Sequence, residues 1–372
     1  MKYILLSWLI ILSLIFISCK GNSENRTTGN EYPVSGVIRW EDIADCYFDQ
    51  FVDSVVYIPL ESHPSGLFRV VDKAVVSDEK IFIFDYHARN QVLVYNTAGE
   101  FLYQVGNRGR GPGEYIQMRN FTVDEQYVYV LDNNTHRLLL YDINDGRYVT
   151  YKHMPFWATD VACFETGDFV FSQDLSPIDV TDSTRQSRIL ITDDKLEIKN
   201  RLFPFTSEDC SVEHLTSFRQ GDEISFHTLI VDTAALFQKA CPDSVPHVLR
   251  FEFGSMTIPA QHRSHWQACQ DYAYVASPPI VTPKYIVGEV QERENTYSYL
   301  YHRASGKTYK GYNAGNDFIS VLCCDEDGNL YTDFQVSEVY YYMVEHGWPR
   351  ASETIEQRIE NGDYVLIKLI MK

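Results

Sequence analysis

Three observations predict an all-β fold: a six-bladed β-propeller of four-stranded antiparallel blades, closed by its terminal strands. The first is an internal repeat. Residues 80–95 and 126–141 share one build, a strand ending in Asp, a short polar turn, and a second strand ending in Tyr. Asp85 and Asp132, which end the first strand of each copy, stand 47 residues apart, the length of one four-stranded blade. The second is that the rhythm persists. Short aromatic or β-branched runs punctuated by turn residues continue across residues 51–372, as propeller strands do. The third is composition. The chain is 14% aromatic, with Tyr 26 and Phe 21 against Trp 5, and such side chains pack well on a pleated, half-buried surface.

From the N-terminus, Lys2 provides a positive start, and residues 4–17 form an apolar run too short for a comfortable membrane span. That is the shape of a secretory signal peptide over residues 1–18. Ser18 sits directly before Cys19, so the segment resembles a bacterial lipobox, with Phe16 where Leu is usual. Cys19 is therefore the expected lipidation site; a plain secretory signal and an uncleaved anchor are the alternatives. Residues 20–30 are polar and almost without apolar side chains, a composition that cannot offset its own ordering entropy. Residues 19–50 are read as the lipidated cysteine and a tether, and residues 51–372 as one propeller.

Within the propeller, residues 54–60 form a first strand, and the two repeats make the first two units. Residues 168–172 with 188–192 make a third, 223–227 with 247–254 a fourth, 285–290 with 296–301 a fifth, and 329–334 open a sixth. Residues 351–359, with Ser352 ahead of acids and apolar residues at i, i+4 spacing, read as a surface helix. Residues 364–370 are the last strand. An open ring would expose unpaired edges, so one terminal strand is expected to complete the blade formed by the other end.

The segment Gly106-Asn107-Arg108-Gly109-Arg110-Gly111-Pro112-Gly113-Glu114-Tyr115, followed by residues 121–124 and 128–138, resembles an NHL-type propeller repeat. With Val55-Val56-Tyr57-Ile58-Pro59-Leu60-Glu61 upstream, it more closely resembles the six-bladed β-propeller lipoproteins of Gram-negative gut-type bacteria. The close part of the match covers residues 54–142. The resemblance implies the fold and an exported context, and no defined activity. Where that family has Asn-Pro before the last strand, this chain has Gly362-Asp363.

A formal net charge of −19 repels phosphate backbones, so nucleic acid is not an expected partner. Export permits disulfides. Apart from Cys19, however, Cys46, Cys163, Cys210, Cys241, Cys269, Cys323 and Cys324 are odd in number and sparsely spaced. Most are read as buried thiols. The glycine-rich loop at residues 106–113 lacks the GK[ST] of a P-loop and reads as a turn between blades. Arg108 and Arg110 on it are candidate contacts for an acidic ligand. Trp157, Trp266 and Trp348, in loop-like stretches, are candidate stacking faces for a sugar.

Asp85, Asp132 and Asp333 end comparable strands, where Asp caps turns through nearby backbone N–H groups. No GxSxG or HExxH occurs, so no catalytic residue is assigned. The leading reading is a lipid-anchored outer-membrane protein of the cell envelope, on the periplasmic or the surface side. It needs no cofactor and binds or scaffolds a glycan, a peptide or an envelope protein. The alternative is a hydrolase or lyase of the propeller lactonase type, with calcium or zinc held in the central channel by Asp, Glu, Asn or His.

Overall fold

A computed structural model describes residues 32–64, 66–174, 186–206, 209, 215–312, 320–334 and 336–372. The predicted signal peptide and Cys19 lie outside the described residues. Three N-terminal strands come first, β1 (Val34–Arg39), β2 (Ala44–Tyr47) and β3 (Val52–Pro59). Blade 1 follows with β4 (Lys73–Ser77), β5 (Lys80–Asp85), β6 (Gln91–Asn96) and β7 (Phe101–Val105). A short parallel pair, β8 (Asn107–Arg108) and β9 (Glu114–Tyr115), stands in the glycine-rich connection. Blade 2 is β10 (Asn120–Val123), β11 (Tyr127–Asp132), β12 (Arg137–Asp142) and β13 (Tyr148–His153). Blade 3 is β14 (Asp160–Cys163), β15 (Phe169–Ser172), β16 (Ser187–Thr192) and β17 (Ile198–Pro204). Blade 4 is β18 (Phe218–Gln220), β19 (Glu223–Phe226), β20 (Thr233–Gln238) and β21 (His247–Glu252).

Helix α1 (Trp266–Cys269) precedes blade 5. The inner edge of that blade is broken into β22 (Ala273–Val275) and β23 (Ile280–Val281), both paired with β24 (Tyr285–Glu292) and followed by β25 (Asn295–His302) and β26 (Lys307–Tyr312). Blade 6 holds β27 (Val321–Cys324) and β28 (Leu330–Asp333). Two helices, α2 (Ser337–Glu345) and α3 (Glu353–Glu360), separate these from its last strand, β29 (Val365–Met371). The predicted surface helix is thus α3, and Gly362, at φ 80, lets the chain turn out of it.

Strands fill the chain because each blade is buried on both faces. Side chains alternate across a strand, so neighbouring residues of β5 serve different interfaces. Phe82 and Phe84 pack with Phe121, Val128 and Val130 of blade 2. Ile81 and Ile83 pack the other way, with Leu322, Tyr331 and Leu366 of blade 6. All four are fully buried. At roughly 1.5–3 kcal/mol for each large apolar side chain taken out of water, such interfaces carry the fold.

The ring closes where β3 pairs antiparallel with β29, Pro59 opposite Val365 and Val52 opposite Met371. Strand β3 is therefore the outermost strand of the last blade. The folded unit also begins earlier than residue 51. Within the stretch predicted as tether, β1 adds in parallel to β21 of blade 4, and β2 adds in parallel to β26 of blade 5. The apolar residues of this segment explain it. Ile38 and Trp40 are buried with Leu249, Phe251 and Tyr299. The Trp40 indole N–H donates to Glu292 Oε2 at 2.8 Å, and the Lys310 ammonium lies 4.6 Å from its ring centre. Upstream, Tyr32 stacks on Phe203 of blade 3 with centroids 4.4 Å apart.

Candidate functional site

The inner strands begin on one face of the disc, here the upper face, and end on the lower. Lys73, Asn120 and Asp160 occupy the same position, the first residue of an inner strand, in blades 1, 2 and 3. They converge at the axis. Lys73 Nζ donates to Asn120 Oδ1 at 2.9 Å and to the Phe121 carbonyl at 2.8 Å, and lies 3.4 Å from Asp160 Oδ1. The second carboxylate oxygen of Asp160 accepts the backbone N–H groups of Ser217 at 2.8 Å and Phe218 at 3.0 Å, from blade 4. Asn120 Nδ2 donates to the Leu215 carbonyl at 3.1 Å. Burial pulls the Lys73 pKa below its ordinary value, and the Asp160 charge opposes that pull.

From blade 4, Arg219 crosses the axis and donates to the Leu322 carbonyl of blade 6 at 2.9 Å, while its buried Nε has no partner. Glu289 of blade 5 has its pKa raised by burial, with bonding to Ser320 and the Arg219 charge opposing the rise. Nearer the lower face, Thr122 Oγ1 donates to Gln220 Oε1 at 2.8 Å, and the Cys163 thiol donates to the Val123 carbonyl at 2.9 Å. Among the described residues, the axis is thus crossed by polar side chains bonded between blades. A buried ammonium already neutralises the axial carboxylate, and among the described residues no group of three or more His, Cys, Asp or Glu side chains is placed to hold a metal ion. Such a network ties blades together, since an unmatched buried charge is costly.

Concave spaces border this network and the rim. On the lower face, a cavity of about 80 Å³ includes Val75, Gln220, Lys239 and Cys324, and a wider groove of about 660 Å³ runs past Asp78, Glu125, Asp325 and Lys368. On the upper face, a cleft of about 570 Å³ separates the segment after α1 from the hairpin joining β24 and β25.

The residues singled out from sequence sit in separate connections of the ring. Arg108 is exposed in the short parallel pair and donates through Nε to the Ile116 carbonyl at 3.1 Å. Arg110 is exposed nearby, and Glu114 of the same loop accepts the Gly111 N–H at 2.6 Å rather than pairing with either arginine. Trp157 is half-buried, and its carbonyl accepts from Gln173 Nε2 at 2.8 Å. Trp266 opens α1 and meets Tyr274 edge-on at 5.2 Å. Trp348 is half-buried against the blade 6 core. Trp157, Trp266 and Trp348 do not share a pocket.

The repeat aspartates behave as turn caps. Asp85 accepts the N–H groups of Arg69 and Ala88 at 3.0 and 2.9 Å, and Asp132 those of Ile116 and Asn134 at 2.8 and 3.0 Å. Asp333 differs, because it accepts the Tyr364 hydroxyl instead. Among the described cysteines, Cys163, Cys323 and Cys324 are buried free thiols. The axial network carries no sequence motif. Its members are single residues far apart in the chain, and the only signal would have been aligning the residue just ahead of each inner strand's apolar run.

The family described as Domain of unknown function (DUF4934) matches residues 36–362. The chain belongs to that family. The match starts inside β1, so the DUF4934 unit includes the N-terminal strands that wrap the later blades. Among solved structures, the crystal structure of a "Putative exported protein" from Bacteroides fragilis NCTC 9343 is similar, with a TM-score of 0.70 at 18% identity. The similarity covers 90% of this chain and 99% of that one. Virginiamycin B lyase from Staphylococcus aureus aligns at a TM-score of 0.42 and 13% identity, over 75% of this chain and 81% of that one. BamB from Moraxella catarrhalis aligns at 0.39 and 9%, over 75% and 73%. No curated protein matches the chain. No helix among the described residues is long and apolar enough to cross a membrane.

Proposed function

We propose that this protein is an exported, lipid-anchored propeller of the cell envelope, attached to the outer membrane through Cys19, that binds or scaffolds a glycan, a peptide or an envelope protein. The observation that carries the binding reading is the cross-blade network on the axis. Lys73, Asn120 and Asp160 occupy with one another the position where a lactonase-type enzyme needs free oxygen ligands around a metal. Function then falls to the loops and clefts around the rim of the disc, as is usual for rigid β scaffolds. The exported character of a structural neighbour and the polar stretch after Cys19 support the address.

The test uses the full chain expressed in a Gram-negative host. Wild type is expected in the membrane fraction with lipid on Cys19, and the Cys19→Ala variant in the soluble envelope fraction. The purified protein is expected to capture a saccharide, a peptide or an envelope protein without turning it over. Stoichiometric calcium or zinc together with lactone hydrolysis or elimination would overturn the binding reading. Membrane partition of Cys19→Ala would overturn the anchor.

A further inference from the structure

We propose that the cleft beside α1 on the upper face of blade 5 is a saccharide site. The inference deepens the binding-module reading and rests on it for the existence of a ligand. A volume of about 570 Å³ lies within the range of roughly 300–1,000 Å³ usual for small-ligand pockets. One wall comes from the segment after α1, with Gln270, Asp271 and Tyr274; the other comes from the β24–β25 hairpin, with Gln291, Arg293, Glu294 and Asn295.

The chemistry of these side chains is selective. The three amides each offer a donor and an acceptor, the two carboxylates accept, and the guanidinium donates. A sugar presents neighbouring hydroxyls that each donate and accept, so this mixed set matches it. A peptide would need pockets for apolar side chains, and the lining contains no aliphatic residue. Two carboxylates against one guanidinium leave the cleft negative, which disfavours uronates, phosphates and nucleic acid. Tyr274 supplies an aromatic wall for the C–H face of a ring. The side chains of Gln270, Asp271, Glu294 and Asn295 make no hydrogen bond to another described residue, so their capacity is open to a ligand.

The walls are held in place before any ligand arrives. Gln291 accepts the Thr296 hydroxyl at 2.6 Å and donates to the Arg293 carbonyl at 2.7 Å, which orients its amide. Arg293 takes a left-handed backbone, φ 55, at the hairpin tip, and its N–H reaches the Tyr272 carbonyl at 3.4 Å. Trp266 packs edge-on behind Tyr274. This tryptophan therefore positions the aromatic wall, which is a different part from the stacking face expected of it. Preorganised walls lower the ordering cost of binding.

The experiment titrates the full-length protein, in a detergent without a sugar headgroup, with neutral tetrasaccharides derived from cellulose, starch, xylan, chitin and mannan. Binding is read by calorimetry and saturation-transfer NMR. At least one is expected to bind, and Asp271→Ala and Asn295→Ala, both in the cleft wall, are each expected to weaken it about tenfold. Tyr274→Ala is expected to weaken it more, and Arg108→Ala to leave it unchanged. If no tetrasaccharide binds at millimolar concentration, or if binding ignores Asp271→Ala and Asn295→Ala, the saccharide site is wrong. A uronate oligomer binding more tightly than its neutral counterpart would overturn it too. Capture of an envelope protein without any sugar would sink this site and leave the binding module standing, whereas metal-dependent turnover would sink the module itself.

Discussion

Blades 1–3 and blades 4–6 follow one plan but end differently at the rim. In the first half, β7, β13 and β17 are the outermost strands of their sheets. In the second half, β21 carries β1, β26 carries β2, and β29 carries β3. The N-terminal segment is thus a belt around half of the disc. The belted half is also the irregular one: the inner strand of blade 5 is broken, and blade 6 has only three strands of its own without β3. The bare half contains the two regular repeats and leaves Tyr148, Val149 and Tyr151 of β13 partly exposed, with Arg137 over the Tyr151 ring at 4.4 Å. Its edges are dressed with Lys152, Lys199 and Arg201, the usual defence of an open strand. The difference teaches that regular repeats hold a blade by internal packing, whereas degenerate ones here draw on strands from elsewhere in the chain.

The comparison breaks most decisively if the belt is removed. A chain starting at Val52 keeps the closing strand and loses β1 and β2, including Trp40, whose deletion alone to Ala is expected to cost about 3–5 kcal/mol. Denaturant unfolding should show a loss at least that large. Hydrogen exchange should accelerate in β21 and β26 while β5 and β11 keep their protection; uniform acceleration would mean that the halves are not distinct.

The bare half has its own tie at the axis. Lys73→Met leaves Asp160 buried without its ammonium and is expected to cost about 3–5 kcal/mol, with Asp160→Asn added on top restoring part of the loss. Equal stability of single and double variants would show that the pair is not coupled.

The belted half carries a pH dependence through His227 of blade 4. Burial, with the Arg188 charge adding to it, pushes its pKa down to about 4, and the bond to the Val231 carbonyl opposes the shift. The folded value lies below the unfolded 6.5, so the unfolded chain binds more protons between them. Stability therefore falls as pH drops from 6.5 towards 4, by roughly 3 kcal/mol in all. Raised carboxyl pKa values at Glu223 and Asp232 act in the opposite sense. The His227→Gln variant should show a smaller difference in melting temperature between pH 7 and pH 4.5 than wild type. An unchanged difference would remove His227 from the account.

The smallest effect lies at the seam where the halves meet. Gly99 in blade 1 sits at φ 86, and a Cβ there would lie 2.4 Å from the Pro59 carbonyl of the closing strand. Gly99→Ala is expected to cost about 2 kcal/mol, and calorimetry showing no loss would place the seam elsewhere.

Much of the bare half was legible because its strands alternate between two interfaces and end in Asp caps, so the repeat showed directly in residues 80–95 and 126–141. The belt was not, since β1 is a short edge strand with one partner, its glycine, serine and arginine resemble a linker, and its burial depends on Leu249, Phe251 and Tyr299 far along the chain. The third strand of blade 4, Thr233–Gln238, is faint in the sequence because Ala234-Ala235 carries little β signal and its burial comes from neighbouring blades. Arg108, Arg110 and the tryptophans stand out only by residue type in loops, and loop chemistry does not say which side chains share a wall. The blade 5 cleft needed the hairpin tip at Arg293 to meet the segment after α1, a long-range match that no local pattern encodes.

The belt is tested most directly by hydrogen exchange on the intact chain, resolved to single strands. Those backbone amides of β1 and β2 that face β21 and β26 are expected to exchange as slowly as the amides of the strands they pair with. Exchange of β1 and β2 at the rate of an unstructured segment, with blades 4 and 5 still protected, would contradict the belt.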